Sequence, residues 1–240
     1  MEILEVRDLT KIYPAFKLNS VSFSVEEGTI MGFIGRNGAG KTTTLKSIMN
    51  LIHPDSGTIK LFGRPFDKRD ADVMERIGYA TGSNIFYQRN TLKEISQITK
   101  RFYSNWSDEE NSKYMKLFNL DENKKLKDLS DGMKVKYSIT LALSHNARLL
   151  ILDEPTSGLD PISRSELISI FSYLKKRGTT ILFSTHITSD LEKCADSITY
   201  IKEGEIVSSL PLDQFMLSYG MVSLDEIMAQ EEHITHFTEA

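Results

Sequence analysis

The chain has 240 residues and a formal charge of −4, a length for one large domain or one domain with an inserted lobe. Hydrophobic residues make up 40% and charged residues 26%, which matches a soluble globular protein able to bury a core. The acidic balance supplies no basic face for a nucleic-acid backbone, so no nucleic-acid partner is expected, and a single cysteine, Cys194, excludes an intrachain disulfide and fits a reducing compartment.

The first residues, Met1-Glu2-Ile3-Leu4-Glu5, lack the basic region and apolar core of a signal peptide. No stretch approaches the roughly 20 apolar residues that span a bilayer. The expectation is a soluble chain that reaches a membrane only through another polypeptide.

In chain order, alternation in Leu4-Glu5-Val6-Arg7 and in Val21-Ser22-Phe23-Ser24-Val25 predicts half-exposed strands. Glu26-Glu27-Gly28 is a turn, and Thr29-Ile30-Met31-Gly32-Phe33-Ile34 reads as a buried strand. A glycine-rich loop follows, then a helix from about Lys41 to Asn50, ended by His53-Pro54-Asp55-Ser56-Gly57, then a strand over Thr58-Ile59-Lys60-Leu61-Phe62.

That loop, Gly35-Arg36-Asn37-Gly38-Ala39-Gly40-Lys41-Thr42, fits G-x-x-x-x-G-K-[ST] between an apolar strand and a helix. Glycines remove side-chain bulk, so successive backbone N–H groups can turn inward on phosphate oxygens, and the helix N-terminus adds positive potential. Lys41 is expected to reach the β- and γ-phosphates of ATP, and the Thr42 hydroxyl to coordinate Mg²⁺. Thr43 completes the nucleotide-binding set.

From about Asn90 to Ala147 the period turns helical. Thr91-x-x-Glu94 and Ser107-x-x-Glu110 both read as capping boxes. Ile95, Ile98, Phe102, Tyr114, Leu117 and Phe118 recur at helical spacing and are expected in the core.

Strand patterning returns in Leu149-Leu150-Ile151-Leu152 and in Thr180-Ile181-Leu182-Phe183-Ser184, separated by a helix around Ser163 to Arg177, which predicts a parallel sheet. Asp153 and Glu154 close the first of these strands. Alone they read equally well as solvated acids. Beside an intact phosphate loop, ligands collect beyond the carboxyl ends of such strands, which places Asp153 to hold Mg²⁺ through water and Glu154 to polarise the attacking water.

Several motifs together resemble the ABC ATPase family. Leu129-Ser130-Asp131-Gly132-Met133 looks like its LSGGQ signature, Ser157-Gly158-Leu159-Asp160 like its D-loop, and His186 like its switch histidine. Tyr13 stands where the family places an aromatic against adenine, although a tyrosine packed beside Pro14 reads nearly as well. The resemblance runs from about Leu4 to Val207, with the motifs in family order. It implies an α/β fold: a P-loop NTPase core over 1–83 and 148–207, with an antiparallel β subdomain, an inserted α-helical lobe over 84–147 and a short tail over 208–240.

The resemblance also implies a second ATPase subunit, expected as a homodimer, with two ATP molecules sandwiched between one subunit's phosphate loop and the other's signature. Ser130, Asp131 and Gly132 would contact nucleotide across that dimer, and Asp160 would help couple the two sites. A separate transmembrane permease is the implied partner, which places the chain in the cytoplasm on the inner face of the membrane. The lobe and the Thr81-to-Tyr87 loop would form the docking groove, and the short tail from Ser223 resembles that of export-type subunits.

Three positions depart from the family pattern. Gly82 falls where the Q-loop glutamine is expected, Asp131 brings a carboxylate near the phosphate, and Met133 replaces a glutamine. A soluble ABC ATPase of DNA repair or translation is a rival reading, against which stands the lack of a long coiled-coil insertion or a second ATPase unit. A weakly hydrolysing regulatory module is another, and Gly82 makes it conceivable.

Overall fold

The computed structural model describes residues 1–66, 70–81 and 87–219. Its first half opens with two long strands, β1 (Glu2–Tyr13) and β2 (Phe16–Glu26), then the short buried β3 (Ile30–Ile34), helix α1 (Lys41–Ile48), β4 (Ser56–Leu61), β5 (Arg64–Pro65), α2 (Ala71–Met74) and β6 (Ile77–Thr81). Helices α3 (Leu92–Lys100), α4 (Asp108–Leu117) and α5 (Asp131–Ser144) come next, with a 3-10 turn at Leu126–Asp128 before α5. The remainder is β7 (Leu149–Asp153), α6 (Pro161–Lys176), β8 (Thr180–Thr185), α7 (Thr188–Cys194), β9 (Ser197–Lys202), β10 (Glu205–Pro211) and α8 (Leu212–Tyr219).

The strands form two sheets. An antiparallel one runs β2-β1-β4-β5, and a larger one runs β10-β9-β3-β8-β7-β6. In the larger sheet, the pairs β9-β3, β3-β8, β8-β7 and β7-β6 are parallel, and β10 alone pairs antiparallel, with β9. This is the α/β arrangement with an antiparallel sheet expected from the motifs.

The short apolar strands feed two cores because successive side chains of a strand point to opposite faces. In β3, Ile30 and Ile34 join the core shared with the helices, while Met31 and Phe33 join the core under the antiparallel sheet. Leu150 and Leu152 of β7 likewise face the helices, and Leu149 and Ile151 the other side. Strands buried on both faces read as continuous apolar runs, which is how they stand in the sequence.

Strand β6 was not evident from the sequence. Its Gly78 sits so close to α5 that a Cβ there would lie 2.4 Å from the Ala142 Cβ. The packing demand removes the side chain that would have marked a strand.

The helical region holds one correction to the expected core. Ile95, Tyr114 and Phe118 are buried, but Phe102 is 74% exposed and Leu117 is 51% exposed. Phe102 lies just past the end of α3, where the helical period no longer holds, and at the end of α4 it is the neighbouring Phe118 that turns inward rather than Leu117.

The two capping boxes also differ. At α3 both bonds form: Thr91 Oγ1 accepts from Glu94 N–H at 3.2 Å, and the Glu94 carboxylate accepts from Thr91 N–H at 2.9 Å. At α4 only Ser107 caps: its own N–H donates to Ser144 O at 2.7 Å, and the Glu110 carboxylate is held by Lys113 at 2.7 Å. The N–H that the reciprocal bond needs is already committed to the last residue of α5.

Among the described residues no helix is long and apolar enough to cross a membrane. The tail from Ser223, Gly82, and residues 82–86 of the expected docking loop lie outside the described residues.

Candidate functional site

The site assembles where the parallel strands end. Strand β3 delivers the loop 35–40, and the loop runs directly into α1. Gly38 and Gly40 have φ of 83° and 114°, a region that only glycine enters without strain. At Gly40 space is short as well: a Cβ would lie 3.1 Å from the Phe16 ring and 3.0 Å from Leu18. Phe16 therefore rests on the loop's last turn. Gly35 is equally hemmed in, since a Cβ there would meet the Ile201 carbonyl oxygen at 2.4 Å.

Lys41, 6% exposed, reaches back over this loop. Its ammonium donates to Gly35 O at 2.6 Å and Arg36 O at 3.3 Å, and lies 3.2 Å from Glu154 Oε1. On its other oxygen, Glu154 is 2.9 Å from His186 Nδ1. Lysine, glutamate and histidine thus stand in one line across the mouth of the loop. Glu154 holds a left-handed backbone, φ 51°, which is uncommon for a residue with a side chain and is a form of strain found at functional sites.

A second chain of bonds runs behind the first. Thr42 Oγ1 donates to Asp153 Oδ1 at 3.2 Å, and Ser184 Oγ donates to the same oxygen at 2.7 Å. Ser184 Oγ also accepts from Glu154 N–H at 2.9 Å. The pairing of Asp153 with Ser184 in the parallel ladder fixes this meeting. Ser184, read in the sequence only as part of a strand, therefore orients both carboxylate residues. Register, which composition does not carry, is what would have disclosed it.

A cavity of about 490 Å³ opens at this point, lined by residues 36–38, 40–43 and Glu154, together with Ala15 and Phe16. A second cavity of about 450 Å³ continues past Arg36 and Ala39 toward the turn after β9. Phe16 lines both, and Tyr13 lines neither. Tyr13 is half-buried and stacks on Phe16, with ring centroids 6.5 Å apart, and the Lys11 ammonium stands 5.8 Å from its ring. The aromatic beside the loop in this structure is Phe16.

The remaining sequence-predicted residues lie apart from this cluster. Ser130 is exposed and caps α5, accepting from Met133 N–H at 3.3 Å. Asp131 turns along the helix to Lys134 at 2.8 Å, which answers the repulsion expected of its carboxylate. Gly132 is buried against α6: a Cβ would lie 3.2 Å from the Ser163 Cβ. Asp160 caps α6 through Ile162 N–H and Ser163 N–H, both at 3.0 Å, and accepts from Ser163 Oγ at 2.6 Å. These bonds, the Ser163 hydroxyl first, hold its carboxyl below the usual carboxylate range.

The donor set suits Mg²⁺. Thr42 Oγ1 and Asp153 Oδ1 are adjacent hard oxygens at the loop's edge. Among the described residues there is no cluster of three or more metal-binding side chains. Mg²⁺ needs none, since it is usually held by one or two protein oxygens, substrate phosphates and water.

Cys194 plays no part here. Burial pushes its thiol up to about 12, and it donates to Asp190 O.

The ABC transporter family model matches residues 18–157. The bacitracin transport ATP-binding protein BcrA of Bacillus licheniformis is 39% identical, over 88% of this chain and 70% of that protein. The ABC-type transporter ATP-binding protein EcsA of Bacillus subtilis (strain 168) is 34% identical over 95% of each chain. A solved ATP-binding subunit of an ABC transporter superposes with a TM-score of 0.84 at 31% identity, over 95% of this chain and 98% of that one. A phosphate loop, two strand-end carboxylates and a histidine in line, on a fold and sequence shared with these proteins, identify the chain as a member of the ABC transporter family, an ATP-binding and ATP-hydrolysing subunit.

Proposed function

We propose that the chain powers export through a separate membrane permease, as one of two identical ATPase subunits that close on ATP and open on hydrolysis. The line Lys41–Glu154–His186 is the observation that carries this reading. ATP would extend its phosphates over the amides of Gly38 to Thr43, with Lys41 on the β- and γ-oxygens. Glu154 would take a proton from the attacking water, and His186 would hold the carboxylate oriented and stabilise charge on the γ-phosphate. Thr42 and Asp153 would hold Mg²⁺, which when bound neutralises charge on the phosphate oxygens.

The exposed start of α5 supports the dimer. Ser130 is exposed and caps α5, and the first-turn N–H groups of that helix would suit the γ-phosphate on a second copy. Export is supported by the relatives: besides the bacitracin transport protein, a Nod factor export ATP-binding protein of Burkholderia orbicola is 35% identical over 85% of this chain. The chain would then sit in the cytoplasm against the inner membrane face.

Glu154→Gln tests the core of this. Phosphate release should fall at least about 100-fold while ATP binding persists and a dimer accumulates on gel filtration with Mg-ATP. Turnover near the parental rate would reject Glu154 as the base. Affinity purification of the native complex from membranes, followed by mass spectrometry, should recover a polytopic membrane protein; recovery without one would reject the permease partner.

A further inference from the structure

Three buried polar atoms lacking hydrogen-bond partners meet at one place: the Thr156 hydroxyl, Arg164 Nε and Asp190 Oδ2. Buried polar groups are nearly always satisfied, so three together call for an explanation. They come from three separate segments. Thr156 follows Glu154 by two residues, Asp190 follows His186 by four, and Arg164 lies in the first turn of α6.

The Arg164 and Asp190 charges stand 4.0 Å apart, with Asp190 almost wholly enclosed. The Thr156 hydroxyl lies against the Asp190 carboxylate and tempers the effect of burial on it, while Asp190 Oδ2 is left without a close partner. A charge-assisted bond closes at about 2.7–2.9 Å, so Asp190 has surrendered its water and stands roughly 1 Å short of its return, while Arg164 keeps part of its side chain in solvent. Burial accordingly pushes the Asp190 carboxyl above the usual range. A static structure would be better served by apolar side chains of the same shape.

Arg164 also donates through a terminal nitrogen to Leu159 O at 3.2 Å. Leu159 and Ser163 in turn bound the space at Gly132, at 3.7 and 3.2 Å from where a Cβ would stand. On the other side, α7, which carries Asp190, begins just after His186, whose ring holds Glu154. A continuous path of contacts therefore leads from the start of α5 to the carboxylate at the cradle, and it contains one open gap.

We propose that the half-buried Arg164 and the enclosed Asp190 form a latch that closes when the start of α5 shifts, and so positions His186 and Glu154 for hydrolysis. Both are positioning residues, and neither touches nucleotide. The inference rests on the assignment of Glu154 and His186 to the γ-phosphate side.

The test uses the full chain with Mg-ATP, reading kcat, KM, ATP affinity and the thermal midpoint. Asp190→Asn keeps the shape and removes the charge, and should lower kcat about tenfold with KM within about twofold. The double variant with Arg164→Gln should be no slower than the slower single variant, as expected of two groups acting as one. Asp190→Glu, which can span the gap, should recover most of the parental kcat. Unchanged kcat in Asp190→Asn, losses that multiply in the double variant, or a fall in KM performance and thermal midpoint that accounts for the whole loss would each overturn the latch. If Asp190→Asn does not fold, Arg164→Lys decides: a fall in kcat of about threefold or more at constant KM supports the latch, and parental kcat overturns it. Glu154→Gln run alongside separates the two readings, since retained turnover there condemns the site assignment rather than the latch.

Discussion

Around the cradle, Lys41, Glu154 and His186 are joined to one another, as are Thr42, Asp153 and Ser184. At the start of α5, Ser130 and Asp131 bond only within their own helix, and Gly132 packs on α6. The first region is a finished constellation whose members hold each other's orientation. The second is a presented edge, with helix N–H groups that no side chain of the cradle meets. The contrast teaches that, in the proposed dimer, one chain would supply two unlike halves of a reaction site, and that residues of the second half look structural while a single copy is considered.

The comparison can be broken from either side. The largest effect is expected at the finished half. Lys41→Ala removes a cation that faces the phosphates, and ATP affinity measured by calorimetry should drop about 100-fold. Undiminished affinity would mean that the loop does not hold the triphosphate.

Next comes the presented half. Gly132→Val forces side-chain carbon against Ser163 and should push α5 off α6, costing turnover about tenfold while ATP affinity of the isolated subunit stays within about twofold. A matched loss of affinity would show that the start of α5 serves the chain's own cradle.

Ser184→Ala sharpens the account of the finished half. It deletes the hydroxyl that bonds Asp153 and Glu154 N–H, and should lower stability by about 1 kcal/mol in denaturant melts. Turnover should fall with it, because the carboxylates lose their common anchor.

The smallest effect is expected at the opposite end of α5 from Ser130, away from both regions. His145, at the end of α5, bonds Glu75 O at 2.8 Å and stacks on Tyr103, with ring centroids 3.8 Å apart. Burial holds its pKa below the ordinary 6.5, so the unfolded chain takes up the proton first. Its contribution is complete above pH 6.5 and is lost as pH falls from there toward the depressed folded value. Thermal midpoints between neutral pH and pH 5 should fall less steeply in His145→Gln than in the parent.

Much of the cradle was legible because its chemistry is local. Gly35 to Thr42 are consecutive, and Asp153 and Glu154 are adjacent on an apolar strand. Ser184 was not legible, since its role depends on the register of β7 against β8. Phe16 carries no motif of its own, and only the fold of the β1–β2 hairpin brings it to both cavities. Phe102 and Leu117 were over-read, because helical spacing says which residues share a face but not where the helix ends. Among the caps, Thr91 and Ser107 carry the same signal, and their partners tell them apart: the Ser107 N–H goes to Ser144 O and Glu110 goes to Lys113.

One small turn has a mechanical consequence. Gly204 donates its N–H to Ala39 O in the cradle at 3.0 Å, and its carbonyl accepts from Asn19 N–H on β2 at 2.8 Å. A Cβ at this position would sit 1.9 Å from the Lys17 carbonyl oxygen. This rivet fastens the cradle's floor to the antiparallel sheet, so torque applied to the Tyr13–Phe16 hairpin would pass to the loop at Ala39. The two sheets should swing as a single rigid jaw, leaving the helices as the compliant part of the machine.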